Sequence, residues 1–110
     1  MNLLIADDEN LELKVLEKTF KKHFLNEFNI YLASNGKKAM EYLKDTGIDI
    51  AVLDIEMPGM NGIELAKHIR NKNPKSVIIF ITAYDKFDYA IEAMYVKAFD
   101  YLLKPWKEDR

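Results

Sequence analysis

A doubly wound α/β domain on a five-stranded parallel sheet is the fold class the sequence predicts, and three observations predict it. Short apolar runs alternate with amphipathic stretches along all 110 residues, which reads as repeated strand–helix units. The segment SVIIFIT, residues 76–82, is apolar without alternation, as a central parallel strand covered on both faces must be. Stop signals at Thr46-Gly47 and Asn73-Pro74 end amphipathic stretches just before the next apolar run, so each crossover is a single helix. A chain of this length with 49% hydrophobic residues builds one core, burying about 60–70% of its unfolded surface.

Each element follows from its residues. Leu3, Leu4, Ile5 and Ala6 form a first strand that stops at two adjacent carboxylates, Asp7 and Asp8. The first helix is predicted over about Asn10 to Phe24, where Leu13, Leu16, Phe20 and Phe24 recur at helical spacing while Glu12, Lys14, Glu17, Lys18 and Lys21 face away. A short strand, Ile30 to Ala33, passes through the Asn35-Gly36 turn into a helix with Ala39, Met40 and Leu43 as its apolar stripe. IDIAVLDI, residues 48–55, is the third strand, and Pro and Gly make MPGMNG, residues 57–62, a loop. Asn61 with Glu64 forms a helix start, and Ile63, Leu65, Ala66 and Ile69 give that third helix its buried face. After SVIIFIT come a fourth helix, about Phe87 to Tyr95, and a last strand, Asp100 to Leu103, before Lys104-Pro105.

Composition narrows the function classes. A formal net charge of -2, from 16 Lys+Arg against 18 Asp+Glu without a basic run, gives no footprint for direct nucleic-acid binding by this segment. The absence of Cys excludes disulfides and Cys-ligated zinc and fits a cytoplasmic setting. The longest aliphatic stretch, Val77 to Ile81, is far short of a membrane span, and Leu3 to Ala6 is too short for a signal peptide's apolar region. A soluble protein without membrane contact is expected.

In sheets of this kind ligands bind outside the carboxyl ends of the strands. Asp7 and Asp8 follow the first strand, Asp54 closes the third, Thr82 closes the fourth and Lys104 follows the fifth; the second ends in Ala33-Ser34, which offers little. Singly, each has an ordinary explanation: acids at a helix N-terminus, an Asp before a Pro-Gly turn, a Thr that favours strands, a surface Lys. Jointly they bring three carboxylates, a hydroxyl and an ammonium into one crevice. The repulsion among the acids calls for a cation, and a hard oxygen donor set completed by water suits Mg2+. An ionised Asp in such a site is a nucleophile that forms an aspartyl phosphate, with Lys and metal neutralising phosphoryl oxygens and Thr donating a hydrogen bond. No general base is required, in keeping with His23 and His68 falling in helices among charged neighbours as surface residues.

The stretches LLIADDE, IAVLDIEMPGMNGIEL, VIIFITAYD and AFDYLLKP resemble, in their order and spacing, the receiver domain of two-component response regulators over essentially the whole chain. The resemblance implies a flavodoxin-like sheet of order 2-1-3-4-5. It implies Asp54 as the phosphoacceptor, taking a phosphoryl group from the phosphohistidine of a sensor histidine kinase. It also implies an acidic pocket of Asp7 and Asp8, Asp8 being the more direct metal ligand, with Asp54 and the backbone carbonyl of Glu56 completing the protein's donors to Mg2+. Lys104 would pair with one phosphoryl oxygen and Thr82 with another. Tyr101 matches the family's switch aromatic, which turns inward as Thr82 moves, and Lys104-Pro105 would be a cis peptide. Phosphorylation adds about -1.5 to -2 charges and three acceptor oxygens, enough to bias a bistable loop near Thr82, with the fourth helix and last strand as the readout surface. Ile55, Glu56, Ala83 and Tyr84 flank the pocket and are expected to tune the phosphoryl lifetime.

The segment TAYDKFDYAIEA, residues 82–93, sets Tyr84, Phe87 and Tyr89 close to Thr82. It reads either as one core ring with half-exposed companions or as a partner-binding patch, and it is similar to the corresponding loop of receivers joined to AraC-type or LytTR-type DNA-binding domains. Receivers carry a fifth helix after the Lys-Pro step, whereas only WKEDR follows Pro105, too few residues for a stable helix. The expectation is a single receiver domain, residues 1–110, cut before its last helix and before a covalently linked output domain, a DNA-binding transcriptional regulator. The sheet face beside the first helix should then be partly uncovered, leaving apolar surface for a neighbouring chain, as in a homodimer.

The competing enzyme reading is a Mg2+-dependent phosphatase or phosphotransferase acting on a small substrate through an aspartyl phosphate. Glu56 stands where such an enzyme wants its second acid, but MPGMNG is too short for a substrate cap. A flavodoxin-type cofactor binder is excluded, because ADDEN, residues 6–10, would repel a phosphate that a Gly- or Ser/Thr-rich loop would cradle.

Overall fold

Each predicted strand and helix is present in the computed structural model, which describes residues 1–104. In chain order they are β1 (Asn2–Ala6), α1 (Asn10–Phe24), β2 (Asn29–Ala33), α2 (Gly36–Asp45), β3 (Ile50–Asp54), α3 (Gly62–Lys72), β4 (Val77–Thr82), α4 (Phe87–Tyr95) and β5 (Asp100–Leu103). The strands form one parallel sheet of order β2-β1-β3-β4-β5, the flavodoxin-like arrangement expected. Among the described residues no helix is long and apolar enough to cross a membrane.

Strand alternation splits the core into two layers. Leu4, Ala6, Ala51, Leu53, Ile78 and Phe80 point to one side, where Ala39 and Leu43 of α2, Ile63, Leu65, Ala66 and Ile69 of α3, and Ala93 of α4 cover them. Leu3, Ile5, Val52 and Ile81 point to the other, under Leu13 and Leu16 of α1. The second layer is thinner: Ile50, Ile79 and Leu102 remain half-buried there. This is the side expected to be partly uncovered, and it qualifies the reading of SVIIFIT as covered on both faces.

Local chemistry fixes the helix ends. Asn61 Oδ1 accepts the Glu64 backbone N–H at 2.9 Å and Glu64 Oε1 accepts that of Asn61 at 3.2 Å, the reciprocal cap predicted. Asn35, read only as a turn residue, also caps α2 by accepting the Lys38 N–H at 2.8 Å. A 3-10 turn at Leu25–Glu27, which no periodicity announces, follows α1 with Leu25 at φ 47°. The Lys104–Pro105 peptide and the stretch on which the shortened fifth helix was expected lie outside the described residues.

Candidate functional site

The site grows from the tips of β1, β3, β4 and β5. The Asp7 backbone extends the β1–β2 pairing, donating to Ala33 O at 3.1 Å, and this carries its carboxyl indoors, where the residue is 1% exposed. Oδ1 accepts the Glu9 backbone N–H at 2.9 Å and Oδ2 accepts the Lys104 ammonium at 3.0 Å. Lys104 is brought there by β5, whose pairing continues as the Lys104 N–H donates to Thr82 O at 2.8 Å. The same ammonium stands 3.8 Å from Asp54 Oδ1. Asp54, 5% exposed, is fixed from behind by Gly62: a Cβ there would stand 2.1 Å from Asp54 O, so only glycine lets α3 start this close.

The electrostatics show an excess of negative charge. Burial pushes Asp54 up to about 7, helped by the Asp7 charge, while Lys104 pulls it down; Asp8 adds to the rise through its charge and a hydrogen bond between the carboxyls. Asp7 is also raised, burial outweighing the Glu9 N–H and Lys104. Burial alone would lower Lys104, but its bond to Asp7 and the charges of Asp54 and Asp7 hold its affinity for protons above the ordinary value. One half-buried cation thus serves more than one acid. Asp7, Asp8 and Glu9 each offer a carboxylate oxygen, all within 4.8 Å of one another, an all-oxygen donor set suited to a hard divalent cation.

The predicted residues therefore converge in part. Asp7, Asp8, Asp54 and Lys104 share one locus. Thr82 lies on the neighbouring tip, fully buried, its Oγ1 accepting the Tyr84 N–H at 3.2 Å. Tyr101, half-buried, donates its hydroxyl to Tyr84 O at 3.3 Å, so the Tyr84 backbone, through its N–H and its carbonyl, joins Thr82 to Tyr101. Burial and the Asp85 charge raise Tyr101, keeping that donor protonated. Glu56 follows Asp54 on the loop, but its carboxylate accepts from Lys86 Nζ at 3.2 Å and from the Tyr89 hydroxyl. His23 and His68 are exposed on α1 and α3.

Sequence reasoning missed three participants. Glu9 joins the acidic cluster and places Oε1 3.7 Å from Lys104 Nζ; adjacency to Asp7-Asp8 was its only signal. Lys86 and Tyr89 reach Glu56 across a loop, which no spacing rule reveals.

Comparison with known proteins decides the family, because the response regulator receiver domain model matches residues 3–110. The chain is a response regulator receiver domain. The receiver domain is 38% identical over 115 residues to the sensory transduction protein LytT of Oceanobacillus iheyensis, covering 100% of this chain and 44% of that protein. It is 33% identical over 110 residues to the transcriptional regulatory protein ZraR of Klebsiella oxytoca, covering 100% of this chain and 24% of the relative. Among solved structures, the response regulatory domain of mrkE from Klebsiella pneumoniae superposes with a TM-score of 0.88 at 33% identity, covering 100% of this chain and 88% of that one. The receiver domain spans less than half the length of these two curated relatives.

Proposed function

We propose that this receiver domain accepts a phosphoryl group on Asp54 from the phosphohistidine of a sensor histidine kinase, and that the new charge controls a linked output segment. The observation that carries this reading is the placement of Lys104 between Asp7, at 3.0 Å, and Asp54, at 3.8 Å. An ammonium there both anchors the acidic pocket and stands ready for a phosphoryl oxygen on Asp54. Asp8, Asp54 and the Glu56 backbone carbonyl would hold Mg2+, with Asp7 behind them. Bound there, Mg2+ supplies charge neutralisation at the phosphoryl oxygens.

Asp54 does the bond-making. Its carboxylate oxygen attacks phosphorus, the P–N bond to the donor imidazole breaks, and the imidazole leaves with the electron pair. With its proton affinity raised to about 7, Asp54 becomes the competent nucleophile only as it ionises. Thr82 then exchanges its contact with the Tyr84 N–H for a phosphoryl oxygen, to which its hydroxyl donates. Because Tyr84 O accepts from Tyr101, that exchange is felt by the ring on β5, supporting Tyr101 as the switch residue.

The domain in this reading processes only its own phosphoryl group, forming and hydrolysing the aspartyl phosphate. The phosphatase alternative finds no support, since the loop after Asp54, residues 55–61, is too short to enclose a metabolite. For the output we favour a DNA-binding transcriptional regulator, supported by the ZraR relative, a transcriptional regulatory protein of which this chain covers 24%; the cytoplasm is the setting proposed for it. The half-buried Ile79 and Leu102 support an apolar contact with a second copy. Incubation with acetyl phosphate tests the reading by intact mass. One phosphoryl group should be added when Mg2+ is present and none when it is chelated or when Asp54→Ala is used. Steady turnover of many phosphate esters without protein modification would instead establish the enzyme reading.

A further inference from the structure

The α4 helix is held differently at its two ends. At the C-terminal end Arg70 of α3 donates to Val96 O at 2.9 Å and Lys97 O at 3.1 Å, while bonding Pro74 O and Ser76 O at 2.9 and 2.6 Å. A guanidinium spread over four backbone carbonyls is a fixed clamp. The N-terminus of α4 has no side-chain cap. Its first turn is tied instead to the β3–α3 loop by Glu56, whose carboxylate accepts from Lys86 Nζ at 3.2 Å and from the Tyr89 hydroxyl. The Lys86 ammonium also lies 5.3 Å from the Tyr84 ring centroid and 5.2 Å from that of Tyr89, within cation–π range. Tyr89 packs against the buried core, so the bridge has a rigid footing on the helix.

Glu56 thus carries two roles on one residue. Its side chain is bound to α4, and its backbone carbonyl, on the reading above, faces the metal. We propose that Tyr89 and Lys86 act as positioning residues for the metal pocket: by holding the Glu56 carboxylate they fix its carbonyl, making metal occupancy and the seating of α4 one linked equilibrium. Groups behind a metal ligand commonly affect affinity ten- to a hundredfold. Here the Lys86 and Glu56 side chains are 55% and 35% exposed, and an exposed ion pair contributes little, so the expected effect is smaller, about 3–10-fold. Linkage makes the effect reciprocal, so metal must steady the first turn of α4 to the same extent.

Tyr89→Phe tests this without changing any charge near the acids. The half-saturating Mg2+ concentration is read from the NMR shifts of Asp8 and Asp54, with Tyr95→Phe, at a residue 81% exposed, as the comparison. Hydrogen exchange at the Tyr89 and Ala90 amides, which bond to Lys86 O at 3.1 and 3.3 Å, reports the first turn. The proposal expects Tyr89→Phe to need about 3–10-fold more Mg2+, Tyr95→Phe to match the unsubstituted chain, and Mg2+ to slow exchange at both amides only where Tyr89 is intact. Equal half-saturation in all three proteins, with exchange indifferent to Mg2+, overturns the coupling alone. No Mg2+ response at Asp8 and Asp54 in the unsubstituted chain overturns the pocket reading and the coupling with it.

Discussion

The Lys104 ammonium donates to Asp7 Oδ2 at 3.0 Å across 97 residues of sequence, with the two side chains 11% and 1% exposed. Such a pair differs from surface ion pairs in that removing one partner strands the other without water.

Lys104→Met should therefore destabilise the domain by about 2–4 kcal/mol near neutral pH, measured by urea unfolding in chelator. The loss should shrink in acid, because a protonated Asp7 no longer needs the cation. An equal loss at all pH values would mean that packing of the Lys104 stem, rather than its charge, is what Asp7 requires.

Asp54 imposes an opposite pH dependence. Its proton affinity rises from an ordinary 3.8 to about 7 on folding, so between those values the folded chain holds a proton that the unfolded chain has released. Stability from this group is complete below the lower value, falls as pH rises, and levels off above about 7. Metal-free protein should unfold at lower temperature at about pH 8 than at about pH 5.5, and Asp54→Asn should recover on the order of 2–4 kcal/mol at the higher pH. A melting temperature that climbs between those two values would refute the assignment of Asp54 as the strained acid.

Gly62 and Gly47 make a contrasting pair. A Cβ on Gly62 would stand 2.1 Å from Asp54 O, whereas nothing lies within 4 Å of one on Gly47. Gly62→Ala should cost about 3 kcal/mol or more by displacing α3 from β3 and should impair phosphorylation through Asp54. Gly47→Ala should change unfolding by less than about 1 kcal/mol.

Lys97 ends α4 at φ 57°, its N–H bonding Met94 O at 3.0 Å and the next, of Ala98, bonding Ala93 O at 3.0 Å. This paired closure is the Schellman motif, in which glycine is the usual residue. Lys97→Gly should stabilise by about 0.5–1 kcal/mol and leave the rate of phosphorylation by acetyl phosphate unchanged, which calorimetry and intact mass check together.

Period and punctuation made the framework legible. Leu13, Leu16, Phe20 and Phe24 announced α1, and Asn61 with Glu64 announced α3. Asp7, Asp54 and Lys104 were legible as a site because a parallel sheet collects strand tips at one edge, a topological fact that residue order alone conveys. What was missed depends on side chains that cross between loops. Lys86 and Tyr89 meet Glu56, and Arg70 collects four carbonyls, through contacts that leave no periodic trace. The positive φ of the Leu25–Glu27 turn falls on apolar Leu25 and not on its neighbour Asn26, so the residue type at position 25 gives no signal for it.

Location of the phosphoryl group tests the account most directly. After reaction with acetyl phosphate and Mg2+, borohydride reduction should convert the modified carboxyl to homoserine at position 54, in the peptide that also contains Val52 and Leu53, with no conversion in Asp54→Ala. Conversion at Asp7, Asp8 or Glu9 instead, or equal labelling of Asp54→Ala, would contradict the assignment of Asp54 as the carboxylate that accepts phosphorus.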